Sequence, residues 1–297
     1  MGGKVRILVT GSNGQLGSQI INILNKGYAD IGKIPIAYKN AEVIGIDIND
    51  IDISNIDEVL NYINKLKPDI IINTAAYTNV DGCEEYYDDA FKVNAIGARN
   101  MAIAAEKASS KLIHISTDYV FSGNAVEPYK EYDIPDPQNV YGKTKLLGEN
   151  YVSKFCSKYF IVRTAWLYGY NGKNFVKTII KAAKEKGHLD VVDDQRGNPT
   201  NADDLAYHIL KIGLTDEYGI YHCTGNGECS WYDFACKIIE YSGINCDVNP
   251  IKSDKLNRKA QRPFFSSLDN MMLRCTVKDE MRDWQDALKE FISKVIL

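Results

Sequence analysis

The chain has 297 residues, 45% hydrophobic and 25% charged, which suits a globular protein of two ordinary domains, or one large domain with an appendage. Its 35 Lys and Arg against 39 Asp and Glu leave a net charge of −4, so the basic footprint that nucleic-acid binding requires is missing. No apolar run approaches the ~20 residues of a membrane span, and the N-terminus enters a strand without a signal-peptide pattern, so a cytoplasmic protein with no membrane partner is expected.

In chain order, "VRILVTG" (5–11) predicts a strand, followed by a helix from Gln15 to about Lys26. The segment from Gly27 to Asn40 is longer than a helix-to-strand turn needs and is expected to be a surface excursion. Then come a strand at "EVIGIDI" (42–48), a helix near 54–66, a strand at "PDIIINTAA" (68–76), one long helix near 88–107 and a strand at "KLIHIST" (111–117). A helix carrying Tyr141 precedes the strand "YFIVRTAWLYG" (159–169). Near-continuous β-branched runs alternating with helices predict an α/β fold, a doubly wound parallel sheet of the Rossmann type. Past residue 170 the rhythm loosens, ending in an amphipathic helix from about Trp284. The expected organisation is a dinucleotide-binding domain over 1–170, with 198–224 returning to it, and a smaller C-terminal domain over 171–297 that mainly binds substrate.

Seven cysteines, widely spaced and without a C-x-x-C, argue for reduced thiols rather than a disulfide framework or structural zinc. The four histidines show no metal-ligand spacing, so no metal site is assigned.

"VTGSNGQLG" places Gly11, Gly14 and Gly17 after the first strand and at the start of its helix. There the backbone can approach a pyrophosphate at the positive end of the helix. Asp47 ends the second strand, where an acid accepts the ribose hydroxyls of NAD and repels the extra phosphate of NADP, so NADH is expected over NADPH. Tyr141 and Lys145 stand four residues apart on one helix face, so a phenol and an ammonium converge on one small volume. A carbonyl that accepts hydride needs a proton donor and a hydrogen bond at its oxygen, and a nearby ammonium is expected to pull a tyrosine toward the working pH.

The three-glycine loop, the Tyr-x-x-x-Lys pair and "ISTDYVF" at the end of a middle strand resemble the extended short-chain dehydrogenase/reductases. The resemblance implies that Thr117, Tyr141 and Lys145 act together, with Asn94 in "FKVNAIGARN" helping to order the lysine. Further segments, among them "INTAAYTNVDGCE", "PQNVYGKTKLLGE", "DDQRGNPT" and "QRPFFSSLDN", extend the resemblance along nearly the whole chain to reductases of nucleotide-linked 4-keto-6-deoxy hexoses. It implies Gly14, Gln15 and Leu16 at the pyrophosphate, Asp47, Asp52 and Ile53 around the adenosine, and Ala75, Ala76 and Thr78 on the opposite side of the cofactor. Asp118 and Trp166 would face the sugar, with Asn174, Lys177 and Arg262 toward the nucleotide end of the substrate. Each has a structural alternative: Trp166 as a core aromatic, Arg262 as the partner of a surface acid, Lys177 on a solvated face. Some members bind Mg²⁺ through acids at a dimer contact. No matching acids are identified here, and both a homodimer and metal dependence stay open. A sugar-nucleotide epimerase or dehydratase, and a regulatory subunit on the same fold, remain competing readings.

Overall fold

The computed structural model describes residues 4–295; positions 1–3 and 296–297, where the two expected domains begin and end, lie outside the described residues. Six short apolar runs form one sheet: β1 (Arg6–Thr10), β2 (Glu42–Ile46), β3 (Ile70–Asn73), β4 (Lys111–Thr117), β5 (Tyr159–Thr164) and, later in the chain, Gly219–His222. Between the last two lies β6 (His188–Val192), so the sixth strand of the sheet is β7, and β8 is Asp247–Ile251. The sheet order is β7-β5-β4-β3-β1-β2, with every pair parallel. The doubly wound parallel sheet expected from the sequence is therefore present.

Helices α1 (Gln15–Lys26), α2 (Ile56–Leu66), α3 (Ala98–Ala108), α4 (Val140–Phe155), α5 (Phe175–Lys186), α6 (Ala202–Gly213), α7 (Trp231–Ser242) and α8 (Trp284–Val295) follow in chain order. One face of the sheet packs Ile7, Val9 and Val162 against α1 and α6, through Ile20, Leu205 and Ile209. The other packs Leu8, Ile71, Leu112 and Ile161 against α2, α3 and α4, through Ile63, Met101 and Val152. Burial on both faces is why these strands read as unbroken apolar runs. A separate core joins α5, α7 and α8 through Val176, Phe234, Leu288 and Phe291, beside the parallel pair β6–β8.

Two expectations need correction. The helix near 88–107 is not continuous: Tyr87–Phe91 passes into a π-helical segment, Lys92–Gly97, before α3. The 27–40 segment is not a mere surface excursion, for it forms a hairpin of Tyr28–Ala29 with Gly32–Lys33 and buries Ala29 and Tyr38 in the core. The Tyr38 hydroxyl donates to the Leu210 carbonyl at 2.8 Å, which ties the segment to α6. Among the described residues, no helix is long and apolar enough to cross a membrane.

Candidate active site

The carboxyl ends of β1 to β5 open onto one cavity of about 780 Å³, placed where an open α/β sheet reverses its strand order. At its floor the glycine turn enters α1. A Cβ on Gly17 would sit 2.3 Å from the Gly11 carbonyl oxygen, so only glycine lets the turn close this tightly. Gly11, Gly14, Gln15 and Leu16 line the cavity, and Gly17 packs behind them. The first turn of α1 carries no acid, so the positive end of its dipole is uncompensated. Asp47, immediately after β2, accepts the Asn13 N–H at 3.0 Å and the Ile48 N–H at 2.8 Å. Asp52 and Ile53 continue the same wall, and Ala75, Ala76 and Thr78 face them beyond β3.

That second wall is held by Asn94 in the π-helical segment. Its Oδ1 accepts the Tyr77 N–H at 2.8 Å, and its Nδ2 donates to the Tyr77 carbonyl and to Thr144 Oγ1, both at 3.1 Å. The family resemblance assigned Asn94 to ordering the lysine. In the structure its amide instead bridges the Tyr77 peptide and α4. A π-turn re-aims one side chain inside a helix, and helical periodicity in the sequence gives no sign of it.

Thr117, Tyr141 and Lys145 meet at the far side. Asn139 caps α4 by accepting the Gly142 N–H at 2.8 Å. A Cβ on Gly142 would lie 2.1 Å from the Tyr119 carbonyl oxygen, so glycine lets the helix start abut the turn after β4. The Tyr141 ring stands edge-on to Tyr119, with centroids 5.8 Å apart, and Thr117 Oγ1 donates to Asp118 Oδ1 at 2.9 Å. Lys145 is buried, and its Nζ donates to the Ile115 carbonyl at 2.6 Å.

Burial pulls Lys145 down to about 8, opposed by the Glu149 carboxylate one turn along α4. Burial, then the Asp118 carboxylate, pushes Tyr141 above its ordinary range, so the phenol keeps its proton. The expected lowering of the tyrosine by the ammonium is thus not found: loss of hydration outweighs any opposing field at this position. Asp118 is pushed up to about 6, again chiefly by burial.

Sequence reasoning missed several polar groups. Thr10 Oγ1 donates to Asn73 Oδ1 at 2.6 Å, and Asn73 Nδ2 lies 3.1 Å from His114 Nδ1, making a buried row across β1, β3 and β4. His114 is held neutral by burial and then by Lys145. Arg163 of β5 grips both oxygens of Glu149, Nε to Oε1 at 3.0 Å and Nη2 to Oε2 at 2.7 Å, with both side chains buried. The available signal was a polar residue set against apolar neighbours in each strand, Asn73 in "IIIN", His114 in "KLIHIST" and Arg163 in "YFIVRT".

Asp118, next to Thr117, and Trp166, just beyond β5, also line the cavity. Trp166 has φ +46°, a strained conformation for a large residue, and its ring stacks on Trp231 at 3.6 Å. Core and cavity are therefore both its surroundings. Asn174, Lys177 and Arg262 do not line the cavity. Asn174 caps α5 and donates to Gln15 Oε1 at 2.8 Å. Lys177 Nζ donates to the Tyr170 carbonyl at 2.5 Å. Arg262 pairs with both oxygens of Asp81, at 2.9 and 2.7 Å. Among the described residues, no cluster of His, Cys, Asp and Glu could hold a metal ion.

Residues 5–296 match the family model described as the RmlD substrate binding domain. The chain is similar to the dTDP-4-dehydrorhamnose reductase of Aggregatibacter actinomycetemcomitans, 40% identical over 299 residues that cover 96% of this chain and 97% of the relative. Among solved structures it resembles a dTDP-4-dehydrorhamnose reductase from Clostridium acetobutylicum ATCC 824, with a TM-score of 0.93 and 47% identity over 99% of this chain and 100% of that one. It also resembles the reductase of that name from Bacillus anthracis str. Ames in complex with NADP, with a TM-score of 0.92 and 41% identity over 98% of this chain and 100% of that one.

Proposed function

The chain belongs to the RmlD substrate-binding-domain family, and from that premise we propose that it reduces dTDP-4-dehydro-β-L-rhamnose to dTDP-β-L-rhamnose with a nicotinamide dinucleotide. The product is a precursor of cell-surface polysaccharide. The observation that carries this reading is the convergence of the glycine turn, Asp47, Thr117, Tyr141 and Lys145 on one cavity.

The donor set fits a dinucleotide. The α1 N-terminus offers backbone N–H groups and positive potential to a pyrophosphate, Asp47 offers a carboxylate to the adenosine ribose, and Lys145 an ammonium to the second ribose. When bound, the reduced nicotinamide supplies a hydride to C4 of the sugar. Tyr141 gives its phenolic proton to the O4 oxygen, and the Thr117 hydroxyl, turning its one proton from Asp118 to the sugar, donates a hydrogen bond that fixes that oxygen. The high proton affinity of Tyr141 suits a group that must be protonated before it donates. Burial makes Lys145 the more acidic of the two groups, at about 8, while Tyr141 stays protonated. Asp118, beside Thr117, and Trp166 orient the sugar.

We read the cofactor preference as NADH. The adenosine end is lined by Asp47, Asp52 and isoleucines, and the cations among the described lining residues are Lys145 and Lys173. An extra phosphate at Asp47 would meet a carboxylate with no cation in that wall. The seven free cysteines support a reducing, cytoplasmic setting.

The test is to generate the 4-keto sugar in situ and follow NADH. One NADH consumed per sugar, with dTDP-rhamnose identified by mass and proton NMR, supports the reading. Interconversion of an intact sugar nucleotide with no net cofactor change would replace it with an epimerase. Tight NAD(H) binding with neither reaction would favour a regulatory subunit.

A further inference from the structure

The loop between Tyr168 and α5 belongs to the C-terminal half by sequence but lies over the glycine turn. Asn171 Nδ2 donates to Ser18 Oγ at 2.8 Å and Asn174 Nδ2 to Gln15 Oε1 at 2.8 Å, so two independent bonds fasten the loop to the first turns of α1. A Cβ built on Gly172 would lie 3.3 Å from the Gln15 side chain, an equally close approach. Lys177, one turn into α5, donates from its Nζ to the carbonyls of Tyr170 at 2.5 Å and Gly172 at 3.3 Å, bracing the loop from behind. Lys173, between these anchors, is exposed at the rim and lines the cavity together with Gly14 and Gln15. Asn171, Asn174 and Lys177 are all committed to the loop's own geometry, whereas Lys173 makes neither an ion pair nor a hydrogen bond among the described residues.

Resting on the dinucleotide reading of this cavity, we propose that Lys173 is the cation that binds the pyrophosphate of the cofactor, carried by a C-terminal loop strapped across the glycine turn. The turn's N–H groups and helix dipole supply only partial positive charge, while a pyrophosphate brings two full negative charges. The other lining cation, Lys145, is buried and bonded to the Ile115 carbonyl on the reaction side. Lys173 thus supplies the full charge that the glycine turn lacks. A sugar nucleotide carries the same diphosphate chemistry. The contacts of this loop run to Gln15 and Ser18, which favours the cofactor's diphosphate over the substrate's.

Titration of NADH into the intact protein without sugar, by fluorescence, tests this. Lys173→Ala should weaken NADH binding by about tenfold or more, the scale of one charge-assisted hydrogen bond. Lys173→Arg should restore most of it, and the gap should shrink as salt rises from 50 to about 500 mM. Lys181→Met, an equal charge change on the exposed face of α5, should leave binding unaltered. A Lys173→Ala affinity within twofold of wild type overturns the proposal. So does a raised KM for the sugar at saturating NADH with unchanged NADH affinity, which would move Lys173 to the substrate's diphosphate. Failure of the wild-type protein to bind NADH at all would instead bring down the dinucleotide reading. Thermal melting of each variant separates a lost contact from a lost fold.

Discussion

On the sheet side of the cavity Thr117, Asp118, Tyr141 and Lys145 line the lumen, whereas on the C-terminal side Asn174, Lys177 and Arg262 are spent on Gln15, the Tyr170 carbonyl and Asp81. The difference follows from how each group is aimed. A strand end or a helix face fixes direction within a few residues, so Tyr141 and Lys145 point where their spacing says. A polar side chain on a loop takes its nearest partner, and sequence distance says nothing about which partner that is. The two sides also differ in how their ions are held. Arg163 and Glu149 are sealed beneath α4, with side chains 2% and 3% exposed, while Asp81 beside Arg262 is 39% exposed.

That contrast can be broken by substitution. Arg163→Met leaves Glu149 buried without a partner and should cost about 3 to 5 kcal/mol in urea unfolding. A loss under 1 kcal/mol would mean the pair is not sealed. Next in size is the pH response. Lys145 loses its proton as pH rises through about 8, so kcat/KM should fall by about fivefold between pH 8 and 9. Glu149→Gln removes the carboxylate that holds the ammonium charged, with neutral His114 unable to replace it, and should move the fall to lower pH. A profile flat to pH 10 would contradict the charge assigned to Lys145.

Smaller effects belong to the rim. Asp47→Ala should narrow the NADH-over-NADPH preference by about threefold or more in kcat/KM, since one carboxylate facing an extra phosphate is removed. A wild-type preference for NADPH would place the discriminating group elsewhere. Arg262→Met should cost about 1 kcal/mol or less and leave the sugar KM within about twofold, because its guanidinium already has a partly exposed partner. A tenfold rise in KM would show that Arg262 leaves Asp81 to meet substrate.

The legible parts were those written in local periodicity. The first five strands of the sheet, the glycine turn before α1 and the Tyr141–Lys145 spacing all express backbone geometry within a few residues. The π-turn at Asn94 was not legible, because the stretches on either side both read as helix and no residue type marks the extra residue between them. Tyr38 looked like part of a loop because its partner, the Leu210 carbonyl, lies 172 residues away. The direction of the Tyr141 shift was misread for a related reason. Spacing shows which charge is one turn away, but the depth of burial that outweighs it is set by elements distant in sequence.

The most direct test of the central claim, that Tyr141 is the proton donor in a cavity built for cofactor and sugar together, is a single-turnover measurement on Tyr141→Phe. NADH is bound first, the 4-keto sugar is added, and NADH oxidation is followed beside the wild-type protein. The account predicts NADH affinity close to wild type and oxidation slowed by about 100-fold or more, the scale of a lost general acid. Oxidation within a few-fold of wild type would contradict it, and the donor would then have to be sought elsewhere in the cavity, first at Asp118.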